Sequence, residues 1–533
     1  MTWTQTIAVD DLQNNKPALF KKGPKQIVLL RRDQTLYAFD NRCPHEGYPL
    51  SEGTFQDGTD DCILTCNWHN WKFSLKQGQN LLGEDHLRVY NTETREGMIW
   101  VDLTDKSKEQ VFSESLASMK QAFQDQTYDR IARILTRLDF EGIDWRPILK
   151  EVVVWTHDRL EYGMTHAYAT VAEWLVLYEL FAQDRVHRLT CLTEAVDYMA
   201  YDSLRHPNYP FTTDRVPYSH GAFVQAIEAE DETKAIGMLL DALDQGLGFE
   251  DLEEPLTEAA LAHYLDFGHG LIFLVKAGQL IQHLGEEIQE PVLKTLVRRL
   301  VYAYREDLIP DYRAYTTRLE EAQALPLLTY PNQEPLARPH GLSVNRSMKW
   351  VVEALKTHAP QQAFTLLLEA AGRNLVTYDT RFGEHTDLPV AKNAGWLTVT
   401  HGLTFANAVR IQCARYPRLW RQGLLQLACF TGRATPFLDL DQEESPWQVE
   451  NSQRFFRGAK LDFLDHGIPL PIYPAHYLKT TLAVEEEIPH LPAPVQQTLL
   501  AGLNRFLSSP IKQKHGLRLV KQAVALVGRD YRT

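Results

Sequence analysis

At 533 residues, 44% hydrophobic and 23% charged, the chain has the composition of a folded protein with room for roughly two to four domains, and disorder is excluded. Its formal net charge of -14 provides no basic field for phosphate backbones or anionic lipid, so nucleic acid is excluded as a partner. The opening MTWTQTIAVDDLQ lacks a charged-then-apolar leader pattern, and no run reaches the roughly 18 apolar residues of a membrane span. The longest, GLIFLVKAGQLI, is broken by Lys276, so a cytoplasmic protein without membrane contact is expected.

Residues 1–104 read as strands. QIVLLRRDQTLYAFDNR is two apolar runs around the polar centre RRDQ, a hairpin signal, and WKFSLKQG and GMIWVDL continue the pattern between turn residues such as Gly58, Gly78 and Gly83. The polar segment TDKSKEQ follows, and then the period changes. DETKAIGMLLDALDQGL, EPVLKTLVRRLVYAYREDL, MKWVVEALKTH and QAFTLLLEAAG carry apolar residues at helical spacing, with Pro255, Pro291, Pro360 and Pro417 marking helix ends. No repeat of about 34 or 40 residues recurs. The expected fold class is multidomain β plus α: a small all-β domain over 1–104, then a large, mainly α-helical domain over 110–533.

Six cysteines are too sparse for a disulfide scaffold, so those at ligand spacing read as reduced thiolates. Cys43-Pro44-His45 and Cys66-Asn67-Trp68-His69 supply two thiolates and two imidazoles from two loops. A [2Fe-2S] cluster with two cysteines on one iron and two histidines on the other needs that set. A Cys2His2 zinc site would put both cysteines in one knuckle and both histidines on one helix, whereas each loop here mixes the two types. Cys62 reads as a strand residue and His86 as a surface residue.

These pieces resemble the Rieske family over nearly all of residues 1–104. CPHEGYPL is similar to its first loop, shaped by Gly47 and Pro49, CNWHNWKFSLKQG to its second loop and hairpin, and LRVY with GMIWVDL to its closing strands. In the family's high-potential type each loop carries a further cysteine and a serine bonds the bridging sulfide; those places are Tyr48, Trp68 and Trp71. Fewer hydrogen bonds to the sulfurs put the implied potential toward the low end of the Rieske range. An NAD(P)H-dependent reductase or a ferredoxin is then the implied electron donor. Asn70 stands where the family has glycine, and asparagine is the next most tolerant residue of left-handed backbone.

After residue 104 there is no D-x-x-H-x-x-x-x-H, so the usual terminal domain of a Rieske oxygenase is not expected. Histidines instead lie on apolar segments: His166 in YGMTHAYATVAEWLVLYEL, His263 and His269 in AHYLDFGHGLIFL, and His401 in WLTVTHGLTFANAV. Three or four of them converging in a bundle would make a non-haem metal site. On one helix His263 and His269 would point about 120° apart, so a single one of the two is expected as a ligand. Asp266-x-x-His269, and Asp202 with His206, leave a di-iron carboxylate centre open.

THAYATVAEWLVLYEL and THGLTFANAVR resemble histidine-bearing helices of the questin oxidase-like family, helical non-haem iron oxygenases. That resemblance implies iron held by histidines, with His166 and His401 the matched positions, and by a carboxylated lysine. Lys392 is the lysine in a comparable place; burial among Val390, Ala391, Ala394 and Trp396 would keep its amine neutral. Lys392 and His401 would face opposite sides of one straight helix, so both serve only if the helix starts after Lys392 or bends near Gly395.

No G-x-x-x-x-G-K-[ST] or G-x-G-x-x-G occurs, so a separate protein must charge the cluster. The expected function is a Rieske iron-sulfur oxidoreductase. Electrons would pass from the cluster, held by Cys43, His45, Cys66 and His69, to a metal site drawn from His166, His269, Lys392 and His401, for O2-dependent oxidation of a small organic substrate. The alternative is an electron-carrying or redox-sensing Rieske domain on a metal-free helical interaction module.

Overall fold

The computed structural model describes residues 2–58, 61–83, 85–203, 206–264, 266–384 and 394–527, with the backbone alone of Glu384. The chain divides into two compact units, Met1–Ala122 with Arg137–Ile143, and Phe123–Thr136 with Asp144–Thr533.

The first unit contains ten strands: β1 Trp3–Ala8, β2 Ala18–Lys22, β3 Lys25–Arg32, β4 Thr35–Asp40, β5 Thr54–Gly58, β6 Asp61–Thr65, β7 Lys72–Ser74, β8 Val89–Tyr90, β9 Thr92–Arg95 and β10 Met98–Asp102. They form three antiparallel sheets in the orders β1-β10-β9, β2-β3-β4-β8 and β5-β6-β7. The expected hairpin is β3-β4, closed by Asp33-Gln34 with Arg32 opposite Thr35. Because side chains alternate across a strand, β3 feeds two cores. Ile27 and Leu29 enter one with Ile99 and Val101, while Val28 and Leu30 enter the other with Phe39, Leu50, Leu64 and Phe73. The second core also contains Cys43 and Cys66, so the two Cys-x(1,2)-His loops stand on rigid sheet rather than on free chain.

The second unit is helical. His166–Leu180 and His269–Leu284 are apolar nearly all round, which makes them central helices. They pack on each other, and with Trp396–Arg415 and Ile472–Glu487 they close a ring: His166–Leu180 on His269–Leu284, that on Trp396–Arg415, that on Ile472–Glu487, and that back on His166–Leu180. Pro360 and Pro417 begin helical segments and Pro291 lies in a first turn, as their chemistry requires. Pro255 departs from expectation: it lies buried within Phe249–Leu261, where packing of its ring offsets the missing N–H. That helix stops at Leu261, so His263 and His269 do not share one. No helix among the described residues is long and apolar enough to cross a membrane.

Candidate metal centres

The two loops of the β unit are built alike. In the first, Cys43 N–H donates to Tyr48 O at 2.9 Å and Gly47 N–H to Cys43 O at 2.8 Å; in the second, Cys66 N–H donates to Trp71 O at 2.8 Å and Asn70 N–H to Cys66 O at 2.9 Å. The residue four places after each cysteine is left-handed, Gly47 at φ 77° and Asn70 at φ 60°. Asn70 therefore occupies the glycine-like position predicted for it.

Cys43 and Cys66 lie buried at the base, side chain to side chain, and burial pushes the Cys43 thiol up to about 11. His45 and His69 lie above them with their Nδ1 atoms 3.0 Å apart. His45 stacks on Trp71 at 4.4 Å, and both Nε2 atoms face Glu46, at 4.0 and 3.8 Å. Two thiols inside and two convergent imidazole nitrogens outside fit an iron-sulfur cluster whose irons differ in ligand type. Tyr48 and Trp68 stack at 5.9 Å. Cys62 is a buried residue of β6 with Arg32 beside its sulfur, and His86 is exposed.

In the helical unit His166, His269, His401 and His476 come together, one from each helix of the ring. His269 Nε2 is 2.8 Å from His401 Nε2, and the ring centroids of His166 lie 4.7 Å from His269 and 4.8 Å from His476. Lys479 Nζ lies among them, 3.3 Å from His166 Nε2 and 3.4 Å from His401 Nε2. Ligand atoms of His166, His401 and His476 lie within 4.8 Å of one another.

The outer nitrogens decide the tautomers. His476 Nδ1 faces the Ile472 carbonyl at 2.6 Å and His401 Nδ1 faces the Leu397 carbonyl, each four residues earlier in its own helix. A carbonyl only accepts, so both Nδ1 atoms carry the proton and both Nε2 atoms present a lone pair inward. His476 Nε2 is buried without a hydrogen-bond partner. Burial, reinforced by the charge of Lys479, holds all four imidazoles well below the usual histidine range. Burial also pulls the Lys479 amine down to about 7. Neutral imidazoles with inward lone pairs and an amine that gives up its proton near neutrality form a nitrogen donor set for a borderline metal ion such as Fe(II) or Zn(II).

Of the residues singled out from sequence, His166, His269 and His401 are brought together. Lys392 lies outside the described residues; the helix bearing His401 begins at Trp396. His263 is not in the cluster: it bridges Asp307 at 2.8 Å and Glu228 at 2.7 Å. Asp202 accepts from the Ala167 N–H at the start of the His166 helix and is not among the grouped ligand atoms. Asp266 contacts the outer nitrogen of His269 and Arg299, so it does not present a ligand oxygen inward. Sequence reasoning missed His476 and Lys479. The signal available was a histidine and a lysine three apart in YPAHYLKTTLAV, a segment with no other charged residue.

Residues 2–91 match the family model described as Rieske [2Fe-2S] domain. Over 79 residues the chain is 33% identical to the ferredoxin component of an alkene monooxygenase system of Xanthobacter autotrophicus, covering 15% of this chain and 62% of that one. It is 33% identical over 89 residues to 4beta-methylsterol monooxygenase of Methylococcus capsulatus, covering 14% of this chain and 23% of that one. It is 38% identical over 73 residues to chloroplastic pheophorbide a oxygenase of Arabidopsis thaliana, covering 13% of each. The chain thus spans less than two thirds of the length of each of these relatives.

Proposed function

With residues 2–91 a Rieske [2Fe-2S] domain, we propose that this chain is an iron-dependent oxidoreductase that feeds electrons to a non-haem iron in its helical unit, for O2-dependent oxidation of a small organic substrate. In this reading Cys43 and Cys66 hold the inner iron of the cluster and His45 and His69 the outer one. His166, His269, His401 and His476 hold the second metal through Nε2. Lys479 takes the lysine part that the questin oxidase-like resemblance implies: its amine serves as a ligand itself, or takes up CO2 with loss of a proton to become a carboxylate ligand. The bound groups would supply single-electron transfer at the cluster and O2 reduction at the iron.

The residues around these groups have defined tasks. His69, half-exposed beside exposed Trp68, offers the edge at which a reductase or ferredoxin would deliver electrons. Phe273 stacks on His269 at 5.1 Å and Phe267 lies 5.9 Å from His401, apolar rings that shield the imidazoles from water. The relatives named above are a ferredoxin component and two oxygenases, which supports a place in an oxygenase system. The six cysteines are all free thiols, in keeping with a reducing compartment such as the cytoplasm.

The observation that carries the reading is His476 Nε2, a buried lone pair without a partner among three other imidazoles. The test is iron and acid-labile sulfide analysis of the whole chain after anaerobic Fe(II) loading. Iron in excess of sulfide is expected, and that excess disappears in His476→Ala while the cluster's absorbance stays. Equal iron and sulfide would overturn the second site and favour an electron carrier on a metal-free helical module.

A further inference from the structure

We propose that Asp266, braced by Arg299, is a positioning residue that holds His269 with its proton on Nδ1 and its Nε2 lone pair turned inward; the inference rests on the reading of the four histidines as metal ligands. His401 and His476 have their outer nitrogens fixed by the carbonyl one helical turn earlier. Among the described residues His269 is the first of its helix, and the turn before it, Asp266–Gly268, departs from helical backbone at Phe267. Asp266 takes the place of such a carbonyl: Oδ2 lies 3.5 Å from His269 Nδ1, on the side of the ring opposite the Nε2 that meets His401. His269 Nδ1 and Asp266 Oδ2 are both buried without a hydrogen-bond partner, so the approach at 3.5 Å is a contact at ion-pair range between two unsatisfied atoms, and Asp266 is itself buried.

The backbone is committed to this arrangement. Asp266, Phe267 and Gly268 are left-handed in succession, at φ 41°, 55° and 75°. For a phenylalanine that is an outlier which persists only when its surroundings over-determine it. They do: Asp266 N–H donates to Tyr304 O at 2.8 Å, Phe267 N–H donates to Glu306 Oε2 at 3.1 Å, and a Cβ on Gly268 would strike the Phe405 ring. In a continuous helix residues three apart share a face, and the carboxylate would compete for the inward position. The left-handed turn swings it behind the imidazole instead. Arg299 then grips the same carboxylate and reaches to 5.8 Å over Phe273, the ring that stacks on His269. A carboxylate behind a ligating histidine fixes its tautomer and raises its basicity.

The test uses the whole chain with its iron-sulfur cluster intact, loaded with Co(II) as a spectroscopic probe of the helical site. Asp266→Gly removes the acceptor while tolerating the left-handed backbone, and Asp266→Asn keeps a neutral acceptor at a position asparagine tolerates. The expected result is Co(II) binding weakened about 10–100-fold in Asp266→Gly with altered visible bands, and partly rescued in Asp266→Asn. Wild-type affinity and bands in a folded Asp266→Gly protein would overturn the proposal. Should that variant not fold, unchanged affinity and bands in Asp266→Asn would overturn it equally. His476→Ala separates the two levels: if it too keeps the Co(II) bands, the metal-site reading fails rather than the role of Asp266.

Discussion

Glu173 and Lys276 meet at 3.2 Å, and each stands seven residues along its helix from a histidine of the cluster, Glu173 from His166 and Lys276 from His269. Seven residues is nearly two helical turns, so both project from the same faces as the imidazoles and make a second polar layer. With Thr404, Asn407 and Lys479 they line a cavity of about 10 Å³, room for one water. Burying a carboxylate and an ammonium costs several kcal/mol unless they pair, and these two do. Among the described residues no carboxylate hydrogen-bonds to Lys479, and burial, against the nearby charge of Glu173, pulls its amine down to about 7.

Lys479→Met should therefore separate stability from function. Replacing a buried amine by an apolar side chain of similar length is expected to stabilise the metal-free protein by about 1–3 kcal/mol at pH 7, while lowering the iron held by the helical unit. The folded amine titrates near 7 and the unfolded one near about 10.4, so between those values the unfolded chain holds more protons. Wild-type stability should accordingly rise with pH across that window, and the rise should be smaller in Lys479→Met. Denaturant midpoints from pH 7 to 10 measure it, and identical slopes would refute the buried neutral amine. In 13CO2-enriched buffer a carbamate carbon resonance absent from the variant would identify the carboxylated form.

The β unit was legible because its chemistry is local: two short segments, each with its own closing hydrogen bonds, contain all four proposed cluster ligands and even the left-handed Asn70. The helical site was legible only in part. His166, His269 and His401 stand out as polar interruptions in apolar helices, but the site is a ring of four helices whose pairing is tertiary. His476 sits in a helix that also carries Tyr473, Lys479 and three consecutive glutamates, so its burial is not visible from its own period. Lys392 lies outside the described residues, and Lys479, the described lysine at the histidines, is distant in sequence from three of them. His263 shared a segment with His269, yet Gly268 and the left-handed residues before it break that segment. Of the two, His269 joins the histidine cluster and His263 pairs with Asp307 instead.

The two centres should be lost independently. His69→Ala is expected to abolish the cluster's visible absorbance and its low-g EPR signal while leaving helical-unit iron in place, and His476→Ala should do the reverse. Removing one imidazole ligand should weaken iron by at least about tenfold. Iron analysis with EPR on both variants checks this, and loss of both signals together in either variant would count against two separate sites.

His263 offers a pH test away from the metal chemistry. Hydrogen bonding to Asp307, then to Glu228, raises its pKa above the usual histidine value. A histidine raised on folding contributes stability that is fully present below about 6.5, its unfolded value, and is lost as pH rises through the folded pKa. Melting temperature should fall across that interval in the wild type and fall less in His263→Gln. Parallel profiles would show that the bridge is not an ionic one.

Gly163 tests whether the loop entering the His166 helix is held as tightly as its contacts require. It is left-handed at φ 79°, and a Cβ there would meet the backbone of Thr295 and Arg299, while the next residue, Met164, donates its N–H to Thr295 O at 2.9 Å. Arg299 is also the brace on Asp266, so a push at this point is transmitted toward both His166 and His269. Gly163→Ala should cost roughly 2–5 kcal/mol, the sum of left-handed strain and a backbone clash, and should weaken metal binding as well. Gly246→Ala is the matched control: it has a similar φ of 84° but open space around it, so it should cost only about 1 kcal/mol and leave the metal untouched. Equal losses in the two variants, read from denaturant midpoints, would mean that the conformation alone matters and that the Thr295–Arg299 contact does not hold the site.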